Sequence, residues 1–187
     1  SLMRDLGLVD TPSGLLAQIK TPSANATVNR EKDAILIDGV QDPGNVGVVV
    51  RTADAAGADA VLLGPGSADP FGPKSVRASA GSVFRVPVFR VEDMLSELSA
   101  AQSNGLVVRG TAANGEVTLF SADDLDLGSP TLWLLGNEAH GLSELIKQEC
   151  DQVVSIPMFG GAESLNVGIA AAICLYASAA AQYDRVI

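Results

Sequence analysis

Asp38-Gly39-Val40-Gln41-Asp42-Pro43-Gly44-Asn45-Val46-Gly47 follows the apolar run Ala34-Ile35-Leu36-Ile37 and leads directly into a helix-like pattern. A short, uniformly apolar strand that turns through Gly, Asp and Pro into a helix is the repeating unit of parallel sheets covered on both faces. The same arrangement recurs twice. Gly136-Asn137-Glu138-Ala139-His140-Gly141-Leu142-Ser143 follows Leu132 to Leu135, and Ile156-Pro157-Met158-Phe159-Gly160-Gly161-Ala162-Glu163-Ser164-Leu165-Asn166-Val167-Gly168 closes a third apolar run. Three loops rich in Asn, Glu, Ser and Gly are thereby expected at one sheet edge, where open α/β folds build their sites.

Working outward, apolar strands are predicted at 34–38, 60–63, 86–89, 106–109, 132–135 and 153–156. Helices are predicted at 45–56, 74–79, 91–102, 143–149 and 164–182, with Ser143 and Ser164 as N-caps. The fold class is therefore α/β, with a mainly parallel sheet and helices on both faces. Residues 1–33, punctuated by Pro12, Gly14 and Pro22, read as a terminal strand around Leu15 to Ile19 plus a linker, ahead of one catalytic-size domain over 34–187.

Composition bounds the function. At 187 residues and 47% hydrophobic content the chain buries one substantial core. A net charge of -10 offers no bulk attraction to phosphate, which argues against binding nucleic acid by bulk charge alone and requires any RNA contact to be local or supplied elsewhere; no DNA partner is expected. Cys150 and Cys174 form no C-x-x-C pair and read as reduced thiols of a cytoplasmic protein. The stretch from Ser164 to Tyr183 lacks charge, yet it is rich in Ala and interrupted by Asn166, Ser178 and Gln182, so a buried helix is expected rather than a membrane span. One His and two distant Cys build no zinc site, so no metal is expected, and neither a phosphate-loop motif nor a dinucleotide fingerprint is present.

The loops offer specific chemistry. Gly47 lies one helical turn before Arg51, and its missing side chain would leave room for a ligand beside the guanidinium; Arg51 fits an i,i+3 pair with Asp54 equally well. Asn45 is either a ligand-orienting amide or a turn residue. Glu138 is a carboxylate presented from a compact loop, or simply an acid at a helix entry. His140 has a suitable pKa for a general base, although a lone loop histidine is usually solvated. Ser164 and Asn166 supply a hydroxyl and an amide that can orient a ribose, with a plain capping role as the alternative for Ser164.

Together, the three segments and Lys74-Ser75-Val76-Arg77-Ala78-Ser79-Ala80-Gly81 resemble the SpoU (TrmH-like) family of the SPOUT superfamily, RNA ribose 2'-O-methyltransferases that use S-adenosylmethionine. The resemblance implies a deep C-terminal trefoil knot and a homodimer with the site near the subunit interface. It assigns Asn45, Arg51, Glu138, Ser164 and Asn166 to catalysis and puts the methyl donor near Thr111, Gly136, Ile156, Met158 and Leu165. Ala139 departs from the glycine common in the family, and His140 occupies a position the family does not fix. RNA is the implied partner, ribosomal RNA being favoured over transfer RNA, and a catalytically silent RNA-binding module is the alternative of another class. The resemblance also makes residues 1–33 the end of a separate RNA-binding domain preceding residue 1.

Overall fold

The computed structural model describes residues 17–22, 32–121, 125–137 and 139–183. Seven strands, β1 (Ala34–Ile37), β2 (Ala60–Leu63), β3 (Val88–Arg90), β4 (Val107–Thr111), β5 (Val117–Thr118), β6 (Thr131–Leu135) and β7 (Gln152–Ser155), form one sheet in the order β3-β2-β1-β6-β4-β7-β5. Their pairings are parallel, so their C-terminal ends lie along one edge. The helices are α1 (Pro43–Ala56), α2 (Pro73–Ala78), α3 (Met94–Ser103), α4 (Glu144–Gln148) and α5 (Val167–Tyr183), with a 3-10 turn at Ser82–Phe84.

Successive strand side chains point to opposite faces, and both faces are buried. Ile35, Ile37, Val61, Leu63, Trp133 and Leu135 pack with Val46, Val49 and Ala53 of α1 and Ala171, Cys174 and Leu175 of α5. Ala34, Leu36, Ala60, Leu62, Leu132 and Leu134 pack with Met94, Leu98 and Ala101 of α3 and Ile146 of α4. This two-sided burial explains why the strands read as unbroken apolar runs instead of alternating ones. Trp133 fits in the first layer because its indole Nε1 donates to Ser178 Oγ at 2.9 Å, leaving no buried donor unpaired.

The predicted boundaries move where local hydrogen bonds decide them. The strand expected at 86–89 forms at Val88–Arg90, since Val86 N is still bonded to Ser82 O at the end of the 3-10 turn. The following helix starts at Met94 rather than Val91 because Asp93 caps it, accepting from Ser96 N at 3.2 Å. Ser143 caps α4 as expected, accepting from Ile146 N at 3.3 Å. The last helix begins at Val167, not at Ser164. Ala17 to Pro22 are exposed and form no strand, while Leu15 and Leu16 lie outside the described residues. Two-residue β5 carries no sequence signal.

At the N-terminal edge of the sheet a polar network joins four strands to the end of α5. Arg109, only 2% exposed, donates from Nε to Gln152 Oε1 at 2.9 Å, from Nη2 to Asp126 O at 2.8 Å, and from Nη1 to Thr131 Oγ1. Asp33 Oδ1 accepts from Thr131 N and from Gln182 Nε2, both at 2.8 Å. Burial pushes the Asp33 carboxyl up despite these hydrogen bonds, and lowers the Arg109 guanidinium. Both cysteines are free thiols, raised by burial to about 11 for Cys150 and about 12 for Cys174. Among the described residues no helix is long and apolar enough to cross a membrane.

Candidate active site

The strands β1, β6, β4 and β7 are consecutive neighbours, so the loops that follow them share one short stretch of the C-terminal edge. At roughly 4.8 Å between strands these four loops start within about 15 Å of one another. In the first loop, Asp42 caps α1: its Oδ1 accepts from Gly44 N at 2.6 Å and Asn45 N at 3.0 Å, and Pro43 opens the helix where no amide is needed. The Lys74 ammonium, 2.9 Å from Asp42 Oδ2, holds that carboxyl below the usual range together with the capped amides.

Capping leaves Asn45 in the first turn of α1, where its Oδ1 accepts from Asn166 Nδ2 at 3.0 Å. Asn166 Oδ1 in turn accepts from Gly168 N at 2.9 Å, so Asn166 is the residue that caps α5. The first and third motifs thus meet through two amides. Helices α1 and α5 approach closely here because Gly168 carries no side chain; a Cβ would lie 2.7 Å from Val48 Cγ1. Ser164 is exposed, two residues before this cap.

Arg51 is exposed six residues along α1 from Asn45, about 9 Å at 1.5 Å per residue. The alternative pairing with Asp54 does not form, because Asp54 Oδ2 accepts from Arg85 Nε at 2.8 Å and from Arg85 Nη2. The space expected at Gly47 is not open to a ligand. A Cβ there would sit 2.6 Å from Ala78 Cβ and collide with Ser75 O, so Gly47 is the point where α2 seats on α1.

A cavity of about 620 Å³ lies between the loops after β4, β6 and β7. Its lining includes Thr111, Gly136, Ile156, Met158 and Leu165, the five positions associated with the donor, together with Ser164 and His140. The β6 loop is held shut on itself. Asn137 Oδ1 accepts from Ala139 N at 3.0 Å and His140 N at 2.8 Å, while Gly136 packs so tightly on the Gly141–Leu142 backbone that any side chain would overlap it. Glu138 belongs to this loop and lies outside the described residues. His140 is exposed at the cavity. Asn114, Asn137 and Lys147 also line the cavity. Only Asn137 has a sequence signal, as part of the second glycine segment. Among the described residues no three His, Cys, Asp or Glu side chains gather as metal ligands. A larger and more open depression of about 1010 Å³ around Arg109, Phe120 and Asp126 contains none of the motif residues, and Arg109 is committed there to structural bonds.

A parallel sheet whose neighbouring strands end in polar, glycine-rich loops around one cavity defines an α/β domain with its ligand site at the carboxyl edge. More particularly, the chain belongs to the SpoU rRNA Methylase family, whose profile matches residues 33–176. It is similar to the 23S rRNA (guanosine(2553)-2'-O)-methyltransferase RlmP of Bacillus subtilis, 38% identical over 167 residues that cover 89% of this chain and 65% of the relative. Among solved structures it is similar to the SpoU methyltransferase AviRb from Streptomyces viridochromogenes in complex with the cofactor AdoMet. That TM-score is 0.74 at 38% identity, covering 85% of this chain and 62% of the other. It is also similar to the A. aeolicus TrmH/SpoU tRNA modifying enzyme, with a TM-score of 0.73 and 29% identity over 84% of this chain and 79% of that one. The chain spans less than two thirds of the length of RlmP and AviRb.

Proposed function

We propose that this chain is the catalytic part of an S-adenosylmethionine-dependent methyltransferase acting on a ribose 2'-hydroxyl of structured RNA, with ribosomal RNA as the favoured substrate. The observation that carries this reading is the meeting of Asn45 and Asn166 at the same sheet edge as the cavity lined by Thr111, Gly136, Ile156, Met158 and Leu165. The name of RlmP supports the ribosomal reading, and the A. aeolicus likeness keeps transfer RNA as the second one.

The cavity suits the donor. Its volume falls in the range of roughly 300–1,000 Å³ usual for small-molecule sites, and loop backbone with Ile156, Met158 and Leu165 forms a wall against which a flat base can lie. When bound there, the donor supplies a methyl group on a sulfonium. The chain's own residues must then align the ribose and assist loss of its proton. A carboxamide is no base, so Asn45 and Asn166, already joined to each other and to the α5 cap, serve to fix two loops in register. Arg51 is permanently charged and a poor base; its role is to stabilise the developing alkoxide or a neighbouring phosphate. Glu138 and Ser164 orient the ribose. No metal ligand enters this scheme, so chelators are expected to leave activity intact at constant RNA structure.

The same proposal includes a homodimer, a trefoil-knotted C-terminal segment and a cytoplasmic location. For the dimer, the support is an apolar face: Ile169, Tyr176 and Tyr183 recur every seven residues along α5, more than half exposed, next to Val48 of α1. Residues 1–33 are proposed to link this domain to a separate RNA-binding domain. Calorimetry with S-adenosylmethionine tests the core of the reading: an active enzyme binds it with one site per chain, and a silent RNA-binding module does not.

A further inference from the structure

Building on that reading of the site, we propose that α1, α2 and the 3-10 turn form a docking track for single-stranded or looped RNA, in which Arg77 and Arg51 hold backbone phosphates and Phe84 stacks on a base. Residues 42–57 and 72–87 contain four cations, Arg51, Lys74, Arg77 and Arg85, against two carboxylates, Asp42 and Asp54. Both carboxylates are already engaged, Asp42 by Lys74 at 2.9 Å and Asp54 by Arg85 at 2.8 Å. The excess positive charge therefore rests on Arg51 and Arg77, which are exposed and join no ion pair among the described residues. In a chain of net charge -10, a local excess of this sign is the kind of feature that attracts a phosphate backbone.

The fold brings the three elements that carry these groups together, α2 and the 3-10 turn both packing on α1. Gly47 lets Ser75 and Ala78 of α2, and Ser79 just after it, sit against α1, and Arg77 is exposed on the same short helix. Ala80 at φ 49 and Gly81 at φ 90 are both left-handed, so the chain reverses at once, burying Val83 while Phe84 stays 50% exposed. A non-glycine residue in that region is uncommon, which makes this reversal a defined feature of the surface. Arg85 then reaches Asp54, nine residues beyond Asn45, so the track runs about 14 Å from the Asn45–Asn166 contact. Exposed aromatic rings combined with cations that join no ion pair are how proteins hold single strands without reading sequence.

The test uses the full chain, an end-labelled oligoadenylate and a salt series read by anisotropy. Arg77→Glu should weaken binding on the order of tenfold at low salt and flatten the log–log salt slope by about 0.7 for each phosphate that is no longer neutralised. Arg77→Gln should give a smaller change of the same kind. Phe84→Ala should weaken binding roughly tenfold with the slope unchanged. Lys32→Glu, which makes the same change in net charge just ahead of β1, should alter affinity by less than about twofold, since screening confines charge effects to the neighbourhood. Melting curves and donor calorimetry run alongside. No oligoadenylate binding by the parent, or Arg77 and Phe84 variants that bind as Lys32→Glu does, overturns the track while leaving methyl transfer standing. Failure of the parent to bind donor overturns the enzyme reading instead.

Discussion

Asn166 has two jobs that separate by substitution. Its Oδ1 caps α5 through Gly168 N and its Nδ2 reaches Asn45. Asn166→Asp keeps the acceptor and removes the donor, so stability should hold while methyl transfer falls; Asn166→Ala should remove both, with about 1 kcal/mol of cap stability gone. Thermal melting and single-turnover rates distinguish the two, and rates equal to the parent's in both variants would remove the amide contact from the mechanism. For Arg51, the planar fork is the expected requirement. Arg51→Lys should cut kcat severely with the donor Kd unchanged, and near-normal turnover would return Arg51 to a structural role. The sequence alone does not choose between a functional Arg51 and an Arg51–Asp54 pair, because that pair is local and plausible. Arg85, which takes Asp54, lies 31 residues away and becomes visible only in the fold.

Among the elements, the strands and the order of helices are legible because two-sided burial writes itself as apolar runs. Boundaries are less so. Asp93 and Asn166 each fix a helix start by a side-chain bond, and neither stands out as a cap beside the more obvious serines. Gly47 reads in sequence as space for a ligand, since a glycine does not reveal what fills the gap. Gly47→Ala should therefore push α2 off α1 and cost about 1–3 kcal/mol, read as a lower denaturant midpoint. A variant as stable as the parent would show that α2 moves without penalty. The five positions that the family resemblance assigns to the donor have no signal of their own in the sequence; in the fold they line one cavity.

The whole molecule is held at its other edge by the Asp33, Arg109, Thr131 and Gln182 network, far from the motifs and without any sequence signal. Burial raises the Asp33 pKa above its unfolded value of about 3.9, so folding favours the neutral acid. The stability contributed is full below the unfolded pKa and is lost as pH rises through the folded one. Asp33→Asn should remove that loss, so the variant should gain on the parent as pH rises above the unfolded carboxyl value of about 3.9 in denaturant titrations; parallel profiles would contradict it. Function at this scale rests on one proposal, that the cavity and the Asn45–Asn166 contact together methylate ribose. The direct measurement is transfer of labelled methyl from S-adenosylmethionine to ribosomal RNA from cells lacking the protein, followed by nuclease digestion and nucleoside separation. The account predicts label in a 2'-O-methylnucleoside, severely reduced in Arg51→Lys. Label on a base, or none in RNA while donor is bound, would contradict it.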